Sequence, residues 1–108
     1  MSDNRLHKLY KISEGQNRRF PGSDDPFRTL ARLLEECGEM AEQVHVFQDI
    51  GLKRQKCGLP NKTHLAKEAQ DIITAVLNLV MLYGATEELD QMIEQYYQRV
   101  LAEGLVTE

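Results

Sequence analysis

Three features of the chain predict an all-α domain. Apolar residues recur at helical spacing, glycine and proline are confined to a few breaks, and no run alternates with period two. The breaks fall at Phe20-Pro21-Gly22-Ser23-Asp24-Asp25-Pro26, at Gly51 to Pro60 and at Gly84, dividing the 108 residues into four helical segments. That length fits one domain spanning residues 1–108, of the four-helix-bundle type.

The first segment runs roughly from Asp3 to Gln16, with Leu6, Leu9, Tyr10 and Ile12 on one side. The second opens with Asp25 as N-cap and Pro26 at the first helical position. Its core line is Leu30, Leu33, Leu34, Cys37, Met40, Ala41, Val44 and Phe47, and it ends near Asp49 to Gly51. The third starts at Asn61 or Thr63 and runs to Gly84, which suits a C′ glycine. The fourth takes Thr86 as N-cap and places Glu87 and Glu88 in the first turn, where acid complements the helix dipole. Leu89, Met92, Ile93, Tyr96, Val100 and Leu101 then form one stripe.

The third helix is apolar on nearly every side, from Leu65 through Ile72, Ile73, Val76 and Val80 to Leu82. Such a helix needs neighbours all round, and a domain this small is short of core. The expectation is a homo-oligomer, with a homodimer as the commonest closed form.

Composition narrows the function. Lys plus Arg number 13 against 17 Asp plus Glu, a net charge of −4, which argues against non-specific nucleic-acid binding through clustered cations. A phosphate-bearing ligand is compatible with this balance, because a bound divalent cation inverts the local charge. Cys37 and Cys57 match no zinc spacing and no disulfide scaffold, so a reducing, cytoplasmic setting is expected. The start, Met1-Ser2-Asp3-Asn4-Arg5, has no signal-peptide pattern. The longest apolar stretch, Ile72 to Leu82, is interrupted by Thr74 and Asn78 and is too short for a membrane span.

The acids carry the chemistry. Glu35, Glu36, Glu39 and Glu42 crowd one boundary of the second helix, and like charges three or four apart repel. Alone they read as ordinary surface glutamates. The third helix, however, sets Glu68 and Asp71 three apart on an otherwise apolar element, with Asn78 two turns beyond. Carboxylates on a buried helix cost on the order of several kcal/mol unless neutralised. The cations nearby in sequence are Lys62 and Lys67, and Lys67 is expected to point elsewhere. Two facing acid groups resolve most simply around a divalent metal, and hard oxygen ligands favour Mg²⁺ or Mn²⁺ over zinc.

The run Glu35-Glu36-Cys37-Gly38-Glu39, followed by Glu68-Ala69-Gln70-Asp71, resembles the E-E-x-x-E … E-x-x-D signature of the MazG-like all-α NTP pyrophosphatase superfamily. Its members include dimeric dUTPases, dCTP pyrophosphatases and phosphoribosyl-ATP pyrophosphatase. The similarity extends from about Phe20 through Tyr83, taking in the Arg-Phe-Pro entry, a basic loop and Glu-x-x-Asp-Ile-Ile. The resemblance implies a Mg²⁺-dependent pyrophosphohydrolase that cleaves a nucleoside triphosphate between its α and β phosphates. Glu36, Glu39, Glu68 and Asp71 would hold the metal, with Mn²⁺ as a substitute, and Glu35 and Glu36 would serve catalysis by orienting or deprotonating water. It also implies a homodimer or a dimer-of-dimers tetramer. A single motif copy sets this chain apart from the tandem bacterial protein that names the family.

Other residues carry two readings each. Lys53 and Arg54, in the basic loop, either contact phosphate or belong to a solvated turn. Asn78 either reads a base or ribose hydroxyl, or is a buried amide bonding across the oligomer seam. Arg18, Arg19 and Phe20 form a connector or close over a nucleotide. Glu42 and His45 make an E-x-x-H pair, but the third helix offers no histidine beside Glu68 and Asp71 to complete a di-iron set. His7 and His64 are isolated in sequence, and Cys37 reads as a small packing residue. A non-catalytic helical regulator or interaction module is the alternative to an enzyme.

Overall fold

A computed structural model describes residues 4–48 and 58–108. Four helices account for most of them: α1 (Arg5–Arg19), α2 (Pro26–Phe47), α3 (Lys62–Leu82) and α4 (Thr86–Ala102), with no strand among the described residues. The helix ends follow local chemistry. Asp25 caps α2 by accepting from the Phe27 N–H at 3.0 Å, with Pro26 at the first position, as the sequence indicates. Asn61 caps α3 through the His64 N–H at 3.1 Å. Gly84, at φ +65°, closes α3 in a Schellman turn, its N–H donating to the Met81 carbonyl and that of Ala85 to the Val80 carbonyl. At α4 the expected cap moves by one residue. Ala85 occupies the N-cap without a side-chain bond, and Thr86 is already helical.

α3 packs on α2 and α1 and only lightly on α4. Polar bonds fix the directions. Ser13 Oγ donates to the Thr74 carbonyl at 2.9 Å, and Asn17 Nδ2 donates to Asn78 Oδ1 at 2.7 Å, so α1 runs parallel to α3. α2 runs antiparallel to α3, with Thr29 beside Asn78 and Glu36 beside Glu68. α1 is longer than expected at its C-terminal end, and Asn17 lies in the added turn.

The inward face of α2 corrects the expected core. Leu30, Leu34, Cys37, Ala41 and Val44 are exposed, whereas the line toward α3 is Thr29, Leu33, Glu36, Met40, Gln43 and Phe47. Both lines advance in steps of three and four, so spacing alone does not choose between them. Polar partners do: only the second line brings Thr29 to Asn78 and Glu36 to Glu68. The described buried apolar residues are accordingly few, namely Val46, Ala75 and Leu77, while Ser13, Thr29, Gln43, Glu68, Thr74 and Asn78 are buried polar ones.

The chain leaves its third helix only partly enclosed, with Ile73 and Val76 exposed. α4 buries no residue. The radius of gyration is 16.8 Å, against about 13 Å for a compact domain of this length. No described helix is long and apolar enough to cross a membrane.

Asn78 makes three side-chain hydrogen bonds. Its Nδ2 donates to the Ser23 carbonyl at 2.9 Å and to Thr29 Oγ1 at 3.1 Å, while its Oδ1 accepts from Asn17. It is 2 % exposed, and both of its amide hydrogens are engaged by groups of the same chain. Asn78→Ala leaves the Ser23 carbonyl, Thr29 Oγ1 and the Asn17 amide without this partner and should cost about 1–3 kcal/mol, read as a lower urea midpoint with the helical dichroism signal retained. An unchanged midpoint would show the network to be idle.

Candidate metal centre

Three carboxylates meet where α2 and α3 cross. Glu36 and Glu39 come from α2, one turn apart, and Glu68 comes from α3; one oxygen of each lies within 4.8 Å of the others. Glu68 is 4 % exposed, Glu36 half-buried and Glu39 exposed, so the cluster opens from the interior to the surface. Glu36 Oε2 and Glu68 Oε2 are both buried and have no hydrogen-bond donor.

Proton affinities follow from that crowding. Burial first, then a hydrogen bond with Glu68 and the charges of Glu39, Asp71 and Glu68, push the Glu36 carboxyl up to about 7. The hydrogen bond with Glu68 also raises Glu39. Burial would raise Glu68 as well, but hydrogen bonds with Glu36, Glu39 and His64 outweigh it and hold Glu68 below the usual carboxylate range. In the metal-free protein the cluster therefore keeps a proton on Glu36, shared toward Glu68, well above the pH at which a free glutamate loses its own.

The residues fit a hard divalent cation. All three residues offer carboxylate oxygens, two of them carry a buried oxygen without a hydrogen-bond donor, and the set is anionic. Two oxygens on one Mg²⁺ lie about 2.9 Å apart when adjacent and about 4.2 Å apart when opposed.

The other sequence candidates fall at different distances from this centre. Asp71 is outside the trio, its Oδ2 accepting from Lys67 Nζ at 3.0 Å. Lys67 thus points toward the acids, contrary to expectation, because four residues of helix stack the two side chains. Asp71 still lines a cleft of about 120 Å³ together with Glu36. Glu35 is exposed and not part of the trio. Cys37, expected to pack, is exposed. Lys53 and Arg54 lie outside the described residues. The overlooked residue is His64, whose Nε2 sits 3.2 Å from Glu68 Oε1. Its signal was its place four residues before Glu68, one helical turn away.

No protein-family model, no curated protein and no solved structure matches this chain. The likeness to the MazG-like superfamily rests on the acidic signature and its surroundings.

The cluster makes stability depend on pH and metal together. The folded state holds the Glu36 proton up to about pH 7, whereas the unfolded chain releases it near the ordinary 4.5, so metal-free stability should fall as pH rises between those values. Glu68 has the opposite sign, but its contribution is lost only as pH falls below its ordinary 4.5. Saturating Mg²⁺ or Mn²⁺ should offset the decline by binding the ionised carboxylates. Melting temperatures recorded from about pH 5 to about pH 8, with and without metal, test this. Parallel curves would remove the metal from the account.

Proposed function

We propose that the protein is a Mg²⁺-dependent nucleoside triphosphate pyrophosphohydrolase, converting a nucleoside triphosphate to the monophosphate and pyrophosphate, with a role in cleansing the nucleotide pool of the cytoplasm. The observation that supports this best is the carboxylate trio with two buried, donorless oxygens, lying on the residues of the acidic signature. A bound divalent cation would supply charge neutralisation for the phosphates and lower the pKa of a water molecule.

The chain's own groups do the rest. In hydrolysis the water oxygen adds to the α phosphorus, the bond to the bridging oxygen of the β phosphate breaks, pyrophosphate leaves, and the water proton passes to a carboxylate. Glu39 and Glu68 would hold the metal together with Asp71, whose carboxylate is now bonded to Lys67. Glu36 would combine a ligand's position with the role of general base, taking the proton of the attacking water. Glu35, exposed beside the cluster in sequence, would orient water at the rim. Asn78 acts indirectly, by holding the helices in register.

Pyrophosphate release from a panel of NTPs and dNTPs, with Mg²⁺, Mn²⁺ or chelator, decides the reaction. Metal-dependent release from one or a few substrates is expected. Glu39→Gln and Asp71→Asn should each lower it on the order of a hundredfold or more, with helical content intact. No release together with metal-dependent nucleotide binding would leave the non-catalytic regulator.

We further propose that the working form is a homo-oligomer, a dimer or a dimer of dimers. Phe27 (82 % exposed), Leu30, Leu34 (64 % exposed), Cys37, Ala41 and Val44 form an uncharged, coiled-coil-like line along α2. Met92, Ile93 and Tyr96 add an unpartnered face on α4. Light scattering should return at least a dimer at micromolar concentration, and Leu34→Asp should shift it toward monomer. A folded monomer in the wild type overturns this proposal.

A further inference from the structure

Along α2, Arg28 and Arg32 precede Glu36 at intervals of four residues, so a basic turn and a half leads into the acidic cluster. Arg32 lines two clefts. One, of about 120 Å³, is shared with Glu36 and Asp71. The other, of about 160 Å³, is shared with Arg28 and the Pro21-Gly22-Ser23 turn. Arg32 is half-buried, and no hydrogen bond or ion pair joins it to a described residue, although acids lie one turn away. Arg28 has a 3.8 Å contact with Asp25, long for a charge-assisted bond.

The second cleft is built rather than incidental. Gly22 sits at φ +91°, a backbone conformation that favours glycine, and the Arg28 guanidinium passes over it. The Ser23 carbonyl accepts from both Thr29 Oγ1 and Asn78 Nδ2, which pins the turn to α2 and α3. The wall opposite the arginines is therefore fixed before any ligand arrives.

We propose that Arg32, assisted by Arg28, binds the phosphates of a polyphosphate ligand that extend away from the carboxylate centre, and that the Pro21–Ser23 cleft receives this end. The inference rests on the reading of the trio as a divalent-metal centre. A cation bound there offsets the carboxylates, but a triphosphate brings several further negative charges. Arg32 is the uncommitted cation bordering the same cleft as Glu36 and Asp71. Its planar fork suits two phosphate oxygens at once, which a lysine cannot reproduce.

The probe is inorganic tripolyphosphate, titrated calorimetrically into the full chain with and without Mn²⁺. Mn²⁺ binding alone is followed by electron paramagnetic resonance. Arg32→Ala should weaken tripolyphosphate binding about tenfold or more and leave Mn²⁺ affinity nearly unchanged, Arg32→Lys should recover only part of the loss, and Arg28→Ala should have a smaller effect. Wild-type binding should weaken with added salt, less steeply in Arg32→Ala. Melting curves of each variant separate loss of binding from loss of fold. If Mn²⁺-dependent tripolyphosphate binding persists unchanged in Arg32→Ala, the arginine role is overturned while the metal centre stands. If wild type binds no Mn²⁺ but binds tripolyphosphate through Arg32, the metal reading fails and the arginine site stands. If wild type binds no tripolyphosphate, the proposal is wrong.

Discussion

The amide of Asn78 is the constraint on which the remaining geometry depends. One buried side chain ties Asn17 near the end of α1, the Ser23 carbonyl in the turn before α2, and Thr29 in the first turn of α2 to the C-terminal part of α3. A buried amide left unpaired is costly, so these partners move as a set or not at all. Fixing Thr29 against α3 sets the rotation of α2 about its own axis. Seven residues further along, on the same side of the helix, that rotation brings Glu36 to Glu68. A neutral hydrogen-bond network thus positions a charged pair that would not approach of its own accord.

The charged pair is in turn a source of instability awaiting a counter-ion. Two ionised carboxylates whose oxygens lie no more than 4.8 Å apart repel by roughly 3 kcal/mol or more at the effective dielectric that suits protein sites. That is a large share of the stability of a small domain, about 5–15 kcal/mol in all. The metal-free protein lowers the cost by keeping a proton on Glu36. A divalent cation removes it more completely, because it interacts favourably with every oxygen in the cluster at once. The sparse apolar core makes the point sharper. With Val46, Ala75 and Leu77 as the described buried apolar residues, little hydrophobic stabilisation is available to offset uncompensated charge.

What the sequence made legible, and what it did not, divides along physical lines. The helix starts at Asp25 and Asn61 and the stop at Gly84 were legible because capping is local chemistry, settled within a few residues. The meeting of Glu36, Glu39 and Glu68 was legible because unexplained like charges on facing helices need a common resolution. The rotation of α2 was not, since two lines of residues share the same period and only the partners on α3 choose between them. The role of Asn78 stayed open for a related reason: a buried amide and a ligand-reading amide look alike until their partners are known. Ser13 and Asn17, four apart on α1, answer Thr74 and Asn78, four apart on α3. Matched polar spacing of this kind is a usable signal, but apolar periodicity draws attention away from it. Arg28 and Arg32 were passed over because arginines on a helix read as solvated until a cleft is seen between them and the acids.

The same rotation explains how α2 can serve two purposes without conflict. At about 100° per residue, Phe27, Leu30, Leu34, Cys37, Ala41 and Val44 form one uncharged strip, and the line facing α3 lies about a third of the circumference away. Arg28, Arg32, Glu35, Glu39 and Glu42 fill the arc beyond that line, on the side farthest from the apolar strip. A neighbour seated on the strip would therefore leave the arginines, the acid cluster and both clefts facing outward. Had α2 turned its more apolar line toward α3, the core would have been drier, but Glu36 would have been carried away from Glu68 and the carboxylates would have dispersed into solvent. The polar inner line gives up hydrophobic burial within the chain. In exchange it yields a concentrated, partly buried anionic site and leaves an apolar strip to be covered from outside.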